Sequence, residues 1–210
     1  MIRVTLLALT LLAATPALAQ DRTEAANSTP AYMLSEAPTD HTMGSIDAPD
    51  TLILYASNVC PHCGSWFAND WPIVKSELVE TGKLRLVFRP LPSAPIDLSL
   101  TGFLMAECAA ADTYMTVIED QFTRQSTILG AKDGATIKAQ YDAIARVAGL
   151  EDPAAIAECL GTEAHFDTLQ TSANRAGAAG ITGIPSFIFN GEIMSGDNDA
   201  AAIMRWVDGN

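Results

Sequence analysis

The chain has 210 residues, 49% of them hydrophobic, with 25 acidic against 12 basic side chains and a net charge of −13. That balance argues against nucleic acid and anionic membrane surfaces as ligands, because both repel an acidic protein. It is compatible with unfolded polypeptide substrates without selecting them.

The first segment reads as an export signal. Met1-Ile2-Arg3 is a short basic start, Val4 to Ala14 is almost wholly apolar, and Ala17-Leu18-Ala19 fits the small-x-small cleavage rule. Residues 1–19 are therefore expected to be a signal peptide, cut before Gln20. Pro16 and the short apolar run do not suit a membrane span. No cysteine follows the cut to carry a lipid anchor. The expected location is periplasmic, an oxidising space. What remains is enough for one well-cored domain, or for one domain carrying a large insertion.

Residues 20–50 are polar and broken by Pro30, Pro38 and Pro49. The segment 20–43 reads as an N-terminal arm with at most one short ordered piece, and regular order is expected from Thr51. Leu52-Ile53-Leu54-Tyr55-Ala56 is a continuous apolar run, the pattern of a strand buried on both faces. Phe67, Trp71, Val74 and Leu78 then share one helix face. Pro72 lies inside that helix and should kink it, and Gly82 should end it. Leu84 to Phe88 predicts a second strand. Strand, helix and strand in this order imply parallel pairing with a right-handed crossover.

The stretch 97–178 has no strand-like run. Leu100, Phe103, Leu104 and Cys108 mark one helix; Tyr114, Val117, Ile118 and Phe122 a second; Ile137, Tyr141, Ile144 and Val147 a third. Ile156, Cys159 and Leu160 mark a short fourth, and Phe166 with Leu169 a weaker fifth. Pro185 to Phe189 then predicts a strand leading into Asn190-Gly191, a two-residue hairpin signal. Glu192 to Ser195 is the expected return strand. Asp197 or Asn198 is the expected cap of a last helix carrying Ile203, Trp206 and Val207 on its apolar side.

The chemistry centres on Cys60-Pro61-His62-Cys63, which falls between the first strand and its helix. A thiolate attacks a disulfide and a neutral thiol does not, so cysteine acidity controls the exchange. At a helix start, unpaired N–H groups and the positive end of the dipole favour an anion on Cys60. Pro61 loses nothing there by lacking an N–H, and a protonated or donating His62 adds to the effect. Cys63, one turn in, is the expected resolving thiol. Other uses of the pair are a purely structural bridge, or copper or zinc held by Cys60, Cys63 and His62, a set short of the tetrahedral complement that structural zinc takes. A second constellation is Gly183-Ile184-Pro185. Read locally, it is an ordinary trans proline opening an edge strand. The backbone at Ile184 could pair with an extended peptide.

Ser45-Ile46-Asp47-Ala48-Pro49, Tyr55-Ala56-Ser57, the Cys60-Pro61-His62-Cys63 motif, Arg85 to Arg89 and Gly183-Ile184-Pro185-Ser186 together resemble the DsbA-type thiol:disulfide oxidoreductases of bacterial envelopes. The resemblance covers about residues 44–207. It implies an α/β protein with a thioredoxin fold, residues 44–96 and 179–210 forming the thioredoxin-like domain and 97–178 an inserted all-helical domain. It implies Cys60 as nucleophile, Cys63 as resolving thiol and Pro185 as cis. Its usual activity is disulfide donation to reduced or unfolded exported proteins, with reoxidation by a DsbB-like membrane quinone reductase. No cofactor is expected beyond the redox-active pair, and no metal; a monomer is expected. A disulfide isomerase or reductase of the same fold is the alternative, but isomerases usually add an N-terminal dimerisation module, for which the polar arm is too short.

Some members from alphaproteobacteria are similar in carrying a second cysteine pair. The resemblance thus implies a structural disulfide Cys108–Cys159, against the reading of two buried free thiols. The family also points to a departure. Many thioredoxin-fold proteins place a buried carboxylate six residues before the first cysteine, and here that residue is Leu54, so proton transfer at Cys63 needs water or another group. Ile184, apolar and β-branched before the proline, fits the oxidase side. His41 and His165 read as lone surface or capping residues, and Trp66, Phe67 and Trp71 as core or groove-lining.

Overall fold

The computed structural model describes residues 33–209. The expected signal peptide and most of the expected arm lie outside them. At its centre is a five-stranded sheet in the order β1-β3-β2-β4-β5, with β1 His41–Met43, β2 Asp50–Ala56, β3 Leu84–Pro90, β4 Ser186–Phe189 and β5 Glu192–Ile193. β2 and β3 are parallel, with Leu52 opposite Leu86 and Leu54 opposite Phe88. β4 runs antiparallel to β2, placing Phe187 beside Leu54. The alternation of a strand explains the apolar run of β2. Leu52, Leu54 and Ala56 enter the main core on one face, while Ile53 and Tyr55 join Val87, Ile188 and Ala176 on the other.

One element lies inside the expected arm. β1 pairs antiparallel with β3, His41 opposite Phe88 and Met43 opposite Leu86, so order starts before Thr51. The short strand covers an edge of β3 that would otherwise expose unpaired N–H and C=O groups. At the far edge, Asn190 and Gly191 both have positive φ, 46° and 89°, as a two-residue hairpin demands. Its return strand stops at Ile193, short of the expected Ser195.

The crossover from β2 to β3 is broken where Pro72 dictates. α1 spans Pro61–Asn69, α2 Trp71–Val74, and a π-helical turn Lys75–Val79 follows. The break falls at Asp70, whose carboxylate instead accepts the backbone N–H of Ala200 at 2.9 Å. Gly82, at φ 75°, ends the segment. α3 Ile96–Glu107, α4 Tyr114–Gly130, α5 Gly134–Val147, α6 Pro153–Leu160 and α7 Glu163–Ala178 make up the helical stretch, and α8 Ala200–Asp208 closes the fold. The cap of α8 is Asp199, accepting from the Ala202 N–H at 2.7 Å, rather than Asp197 or Asn198.

α3 and α4 share the main core with the sheet. Phe103 lies 6.3 Å from Phe88 between ring centroids, and Phe122 stacks on Phe67 at 3.8 Å. α7, weak in the sequence because it buries only Leu169, Ser172 and Ala176, is a full helix that lays Ala176 on the opposite face of the sheet. Among the described residues no helix is long and apolar enough to cross a membrane.

A disulfide joins Cys108, the C-cap of α3, to Cys159 in α6, with Cα atoms 6.0 Å apart across 51 positions of sequence. α6 has no fully buried residue, so the bridge carries much of its attachment. Replacing both cysteines by alanine is expected to lower stability by about 4 kcal/mol on the chain-entropy account. Denaturant midpoints of the two proteins, measured without reductant, check this; equal midpoints would show that packing of Ile156 and Leu160 holds α6 unaided.

Candidate active site

β2 delivers the chain into a three-residue turn, Ser57 to Val59, and Cys60 follows as the N-cap of α1. Its φ of −82° and ψ of 120° are extended, the conformation favoured both by a cap and by a residue before proline. The Cys60 N–H donates to the Ser57 carbonyl at 3.1 Å, and the Cys60 carbonyl receives the Gly64 N–H at 3.0 Å. Pro61 occupies the first helical position and His62 is exposed beside it.

Cys60 and Cys63 are free thiols in this structure, Cys60 half-buried and Cys63 fully buried. Burial pushes the Cys63 thiol far above its ordinary value of 9.0; a hydrogen bond from the Ser57 backbone works against the rise and the neighbouring Cys60 sulfur adds to it. Cys63 is therefore held neutral. Leu54 behind it is fully enclosed between Phe88 and Phe187 in the sheet register, so the position that would hold a carboxylate is dry and apolar.

The Ile184–Pro185 peptide is cis, and it faces the motif: the Ile184 carbonyl oxygen lies 3.7 Å from the Cys60 sulfur. Pairing between β4 and β2 ends at Ser186, whose hydroxyl donates to the Gly183 carbonyl at 2.6 Å. His62, Ser65, Trp66, Ile184, Pro185 and Asn198 line a groove of about 420 Å³ along this junction. Trp66 is fixed there by its indole N–H, which donates to the Asn198 carbonyl at 3.0 Å. On the other side of α1, a larger and more apolar groove of about 810 Å³ runs between Pro61, Gly64, Phe67 and Trp71 and the α4 residues Phe122 and Leu129. Trp66, Phe67 and Trp71 are thus core residues whose edges line these grooves.

A buried amide network that the sequence reading missed supports the motif from behind. Gln125 donates through Nε2 to the carbonyls of Asn58, at 2.9 Å, and Cys60, at 3.0 Å. Asn58 donates to Gln121 Oε1 at 2.8 Å and to the Ser99 carbonyl at 3.1 Å, and the Ser99 hydroxyl donates to Asn58 Oδ1 at 2.8 Å. Ser57 and Ser93 extend the chain of hydroxyls. The helices approach closely here: a Cβ at Gly64 would strike the Gln125 carboxamide, and one at Gly102 would strike Asn58 and Gln121. The sequence signal was present, since Gln121 and Gln125 continue the stripe from Ile118 to Ile128 at core spacing. Gln125→Leu removes the side-chain donor of the buried Asn58 carbonyl and leaves the Cys60 carbonyl with the Gly64 N–H alone, and is expected to cost about 1–3 kcal/mol, read by chemical denaturation. An unchanged midpoint would mean that the motif turn stands without Gln125.

Neither remaining histidine is lone. His41 Nε2 lies 2.9 Å from Glu107 Oε1 and its ring stacks on Tyr114 at 3.4 Å. His165 Nδ1 lies 3.3 Å from the Cys159 carbonyl oxygen. The structure brings Cys60, Pro61, His62, Cys63, Ile184 and Pro185 to one site and sets Cys108 and Cys159 apart from it.

A family model described as Thioredoxin matches residues 36–209. Two curated relatives match over most of this chain. A Rickettsia bellii protein named "Putative protein-disulfide oxidoreductase" is 25% identical over 177 residues, covering 80% of this chain and 65% of its own. A Rickettsia typhi protein of the same name is 26% identical over 174 residues, 79% of this chain and 61% of its own. The chain spans less than two thirds of the length of these relatives. Among solved structures, Wolbachia pipientis alpha-DsbA1 superposes with a TM-score of 0.73 at 21% identity, covering 85% of this chain and 94% of that one. BdbD from Bacillus subtilis gives 0.70 at 16%, covering 81% and 92%. A Novosphingobium aromaticivorans protein-disulfide isomerase gives 0.68 at 21%, covering 83% and 98%. These likenesses establish a thioredoxin fold with inserted helices.

Proposed function

This chain belongs to the thioredoxin family, and from that premise we propose that it is an exported thiol:disulfide oxidoreductase that donates the Cys60–Cys63 disulfide to newly exported proteins. The observation that carries the reading is the asymmetry of the pair: Cys60 is accessible at a helix N-terminus opposite the Ile184 carbonyl, and Cys63 is enclosed behind it.

That asymmetry orders the steps. In the oxidised protein a substrate thiolate reaches only the Cys60 sulfur. Attack there forms a mixed disulfide and releases Cys63, which burial drives to take up a proton. A second substrate thiolate then attacks the substrate sulfur of the mixed disulfide and frees Cys60. The substrate loses two electrons and two protons, and the protein gains them. The groove at His62, Trp66 and Pro185 would seat the extended substrate beside Cys60, with the Ile184 backbone as a strand-like partner. Return to the disulfide requires an external oxidant, for which a DsbB-like membrane quinone reductase is the expected partner. The periplasm is the compartment that suits such a donor.

Purified protein, oxidised at Cys60–Cys63, should oxidise a reduced dithiol peptide faster than the same concentration of glutathione disulfide. A rate no greater than that of glutathione would count against donation. Trapping the cellular redox state of Cys60 separates the donor from a reductase of the same fold, which would be found reduced.

A further inference from the structure

We propose that Cys108, Cys159 and His165 form a Zn²⁺ site that exists only when the disulfide between the two cysteines is open. Three helix ends meet there: Cys108 caps the C-terminus of α3, Cys159 lies in the last turn of α6, and His165 is in the first turn of α7. The two sulfurs and a ring nitrogen of His165 all lie within 4.8 Å of one another, and among the described residues they are the group of three such side chains able to hold a metal ion.

The spacing suits a tetrahedral ion. Zn–S bonds of about 2.3 Å and Zn–N bonds of about 2.0–2.1 Å put sulfur and nitrogen ligands roughly 3.6 Å apart and two sulfurs roughly 3.8 Å apart. His165 Nδ1 already lies 3.8 Å from the Cys159 sulfur. The Leu104 carbonyl oxygen adds lone pairs at the same place, 3.0 Å from the Cys108 sulfur and 3.8 Å from that of Cys159. The Cα atoms of the cysteines, 6.0 Å apart, leave the sulfurs room to separate by side-chain rotation once unbonded. The negative dipole ends of α3 and α6 point here and the positive end of α7 opposes them, so two of the three helix ends favour a cation. All three residues are half-exposed, so an ion can enter. Two thiolates and an imidazole are the ligand chemistry of zinc rather than of magnesium or calcium, and the fourth position is open to water.

The chemistry balances with a dithiol reductant. It transfers two electrons and two protons to the bridge, becoming a disulfide itself and leaving Cys108 and Cys159 as thiols. Zn²⁺ then binds their thiolates and the two protons go to solvent. Metal and disulfide are thus mutually exclusive fastenings for α6, which otherwise rests on the half-buried packing of side chains such as Ile156 and Leu160.

The test uses the full chain with Cys60→Ser and Cys63→Ser, so that the motif thiols do not compete. After phosphine reduction and anaerobic removal of the reductant, it is titrated with Zn²⁺ against a chromophoric chelator, and with Co²⁺ for thiolate charge-transfer bands. The reduced protein should bind one Zn²⁺ per chain and show a raised melting temperature with it; the oxidised protein should do neither. His165→Gln, which leaves the bridge intact in the oxidised state, should weaken binding by more than the roughly 10–100-fold that loss of an outer-shell partner costs. Should the reduced metal-free chain unfold, Zn²⁺ should restore its circular dichroism. No stoichiometric binding, equal binding by the oxidised form, an unchanged affinity in His165→Gln, or an unfolded reduced chain that Zn²⁺ does not restore would each overturn the proposal.

Discussion

Cys60→Ala and Cys63→Ala both reduce dithiol oxidation to the uncatalysed rate, because neither can form the disulfide that accepts the electrons, but only Cys63→Ala captures a substrate disulfide at Cys60 and stalls there as the adduct. The two outcomes differ because the thiols differ in position. Without Cys60 the remaining sulfur is wholly enclosed and held neutral by burial, so neither attack by it nor attack upon it proceeds at a useful rate. The expected loss is on the order of 10³-fold or more, the scale on which removal of a covalent nucleophile acts in other enzymes. Without Cys63, Cys60 still sits accessible on the N-cap of α1 and exchanges with a substrate disulfide. No internal thiol then resolves the adduct, so a mixed disulfide accumulates. Non-reducing electrophoresis with peptide mass mapping reads both results. An adduct on Cys63 in the Cys60→Ala protein, or no adduct on Cys60 in the Cys63→Ala protein, would contradict the assignment of roles.

Asp40→Ala is expected to destabilise the fold by about 3–5 kcal/mol, because it strands a buried cation. Arg89 is 1% exposed and Asp40 4%. Asp40 receives Nη2 of Arg89 at 2.8 Å and Nε at 3.1 Å, and it also receives Arg175 Nη1 at 2.8 Å. The remaining Arg89 donors go to the carbonyls of Met33 and Ser35 and to the Tyr55 hydroxyl. Burial by itself would lower the Arg89 pKa, but the hydrogen bonds and charge of Asp40 outweigh it and the net shift is upward. One carboxylate thus ties the segment before β1 to β3 and to α7. Asp40→Asn keeps hydrogen-bonding capacity without the charge and should fall between the two proteins in stability. A loss of less than about 1 kcal/mol for Asp40→Ala, the level of an exposed ion pair, would show that water reaches Arg89.

The sequence was most legible where burial is continuous or periodic. The run in β2 and the spacing of Phe67, Trp71, Val74 and Leu78 announce their elements because every turn or pleat meets the core. Pro72 announced the break because a missing N–H has the same consequence in any helix. The motif turn was legible for a related reason, since it lies between two elements that were themselves clear. What escaped depends on partners distant in sequence. β1 is three residues with no pattern of its own, and only the edge of β3 makes it a strand. Asp40 and Arg89 are 49 positions apart, and nothing local says that a charged pair there is buried. Asp197, Asn198 and Asp199 are all acceptable caps, and only the placement of the Ala202 N–H selects Asp199. Gln121 and Gln125 were passed over because polar residues on a helix usually face water, whereas these two fasten the turn that carries Cys60.

The most direct test of the central claim is the equilibrium of Cys60–Cys63 against glutathione, with the fraction oxidised counted by alkylation and mass mapping of the peptide that holds both residues, so that Cys108 and Cys159 do not interfere. A disulfide donor transfers its bond to glutathione, and the pair should be found mostly reduced in buffers where glutathione disulfide is the minor species. A pair that stays oxidised against a large excess of reduced glutathione would contradict the account and make Cys60–Cys63 a structural bridge or a reductant.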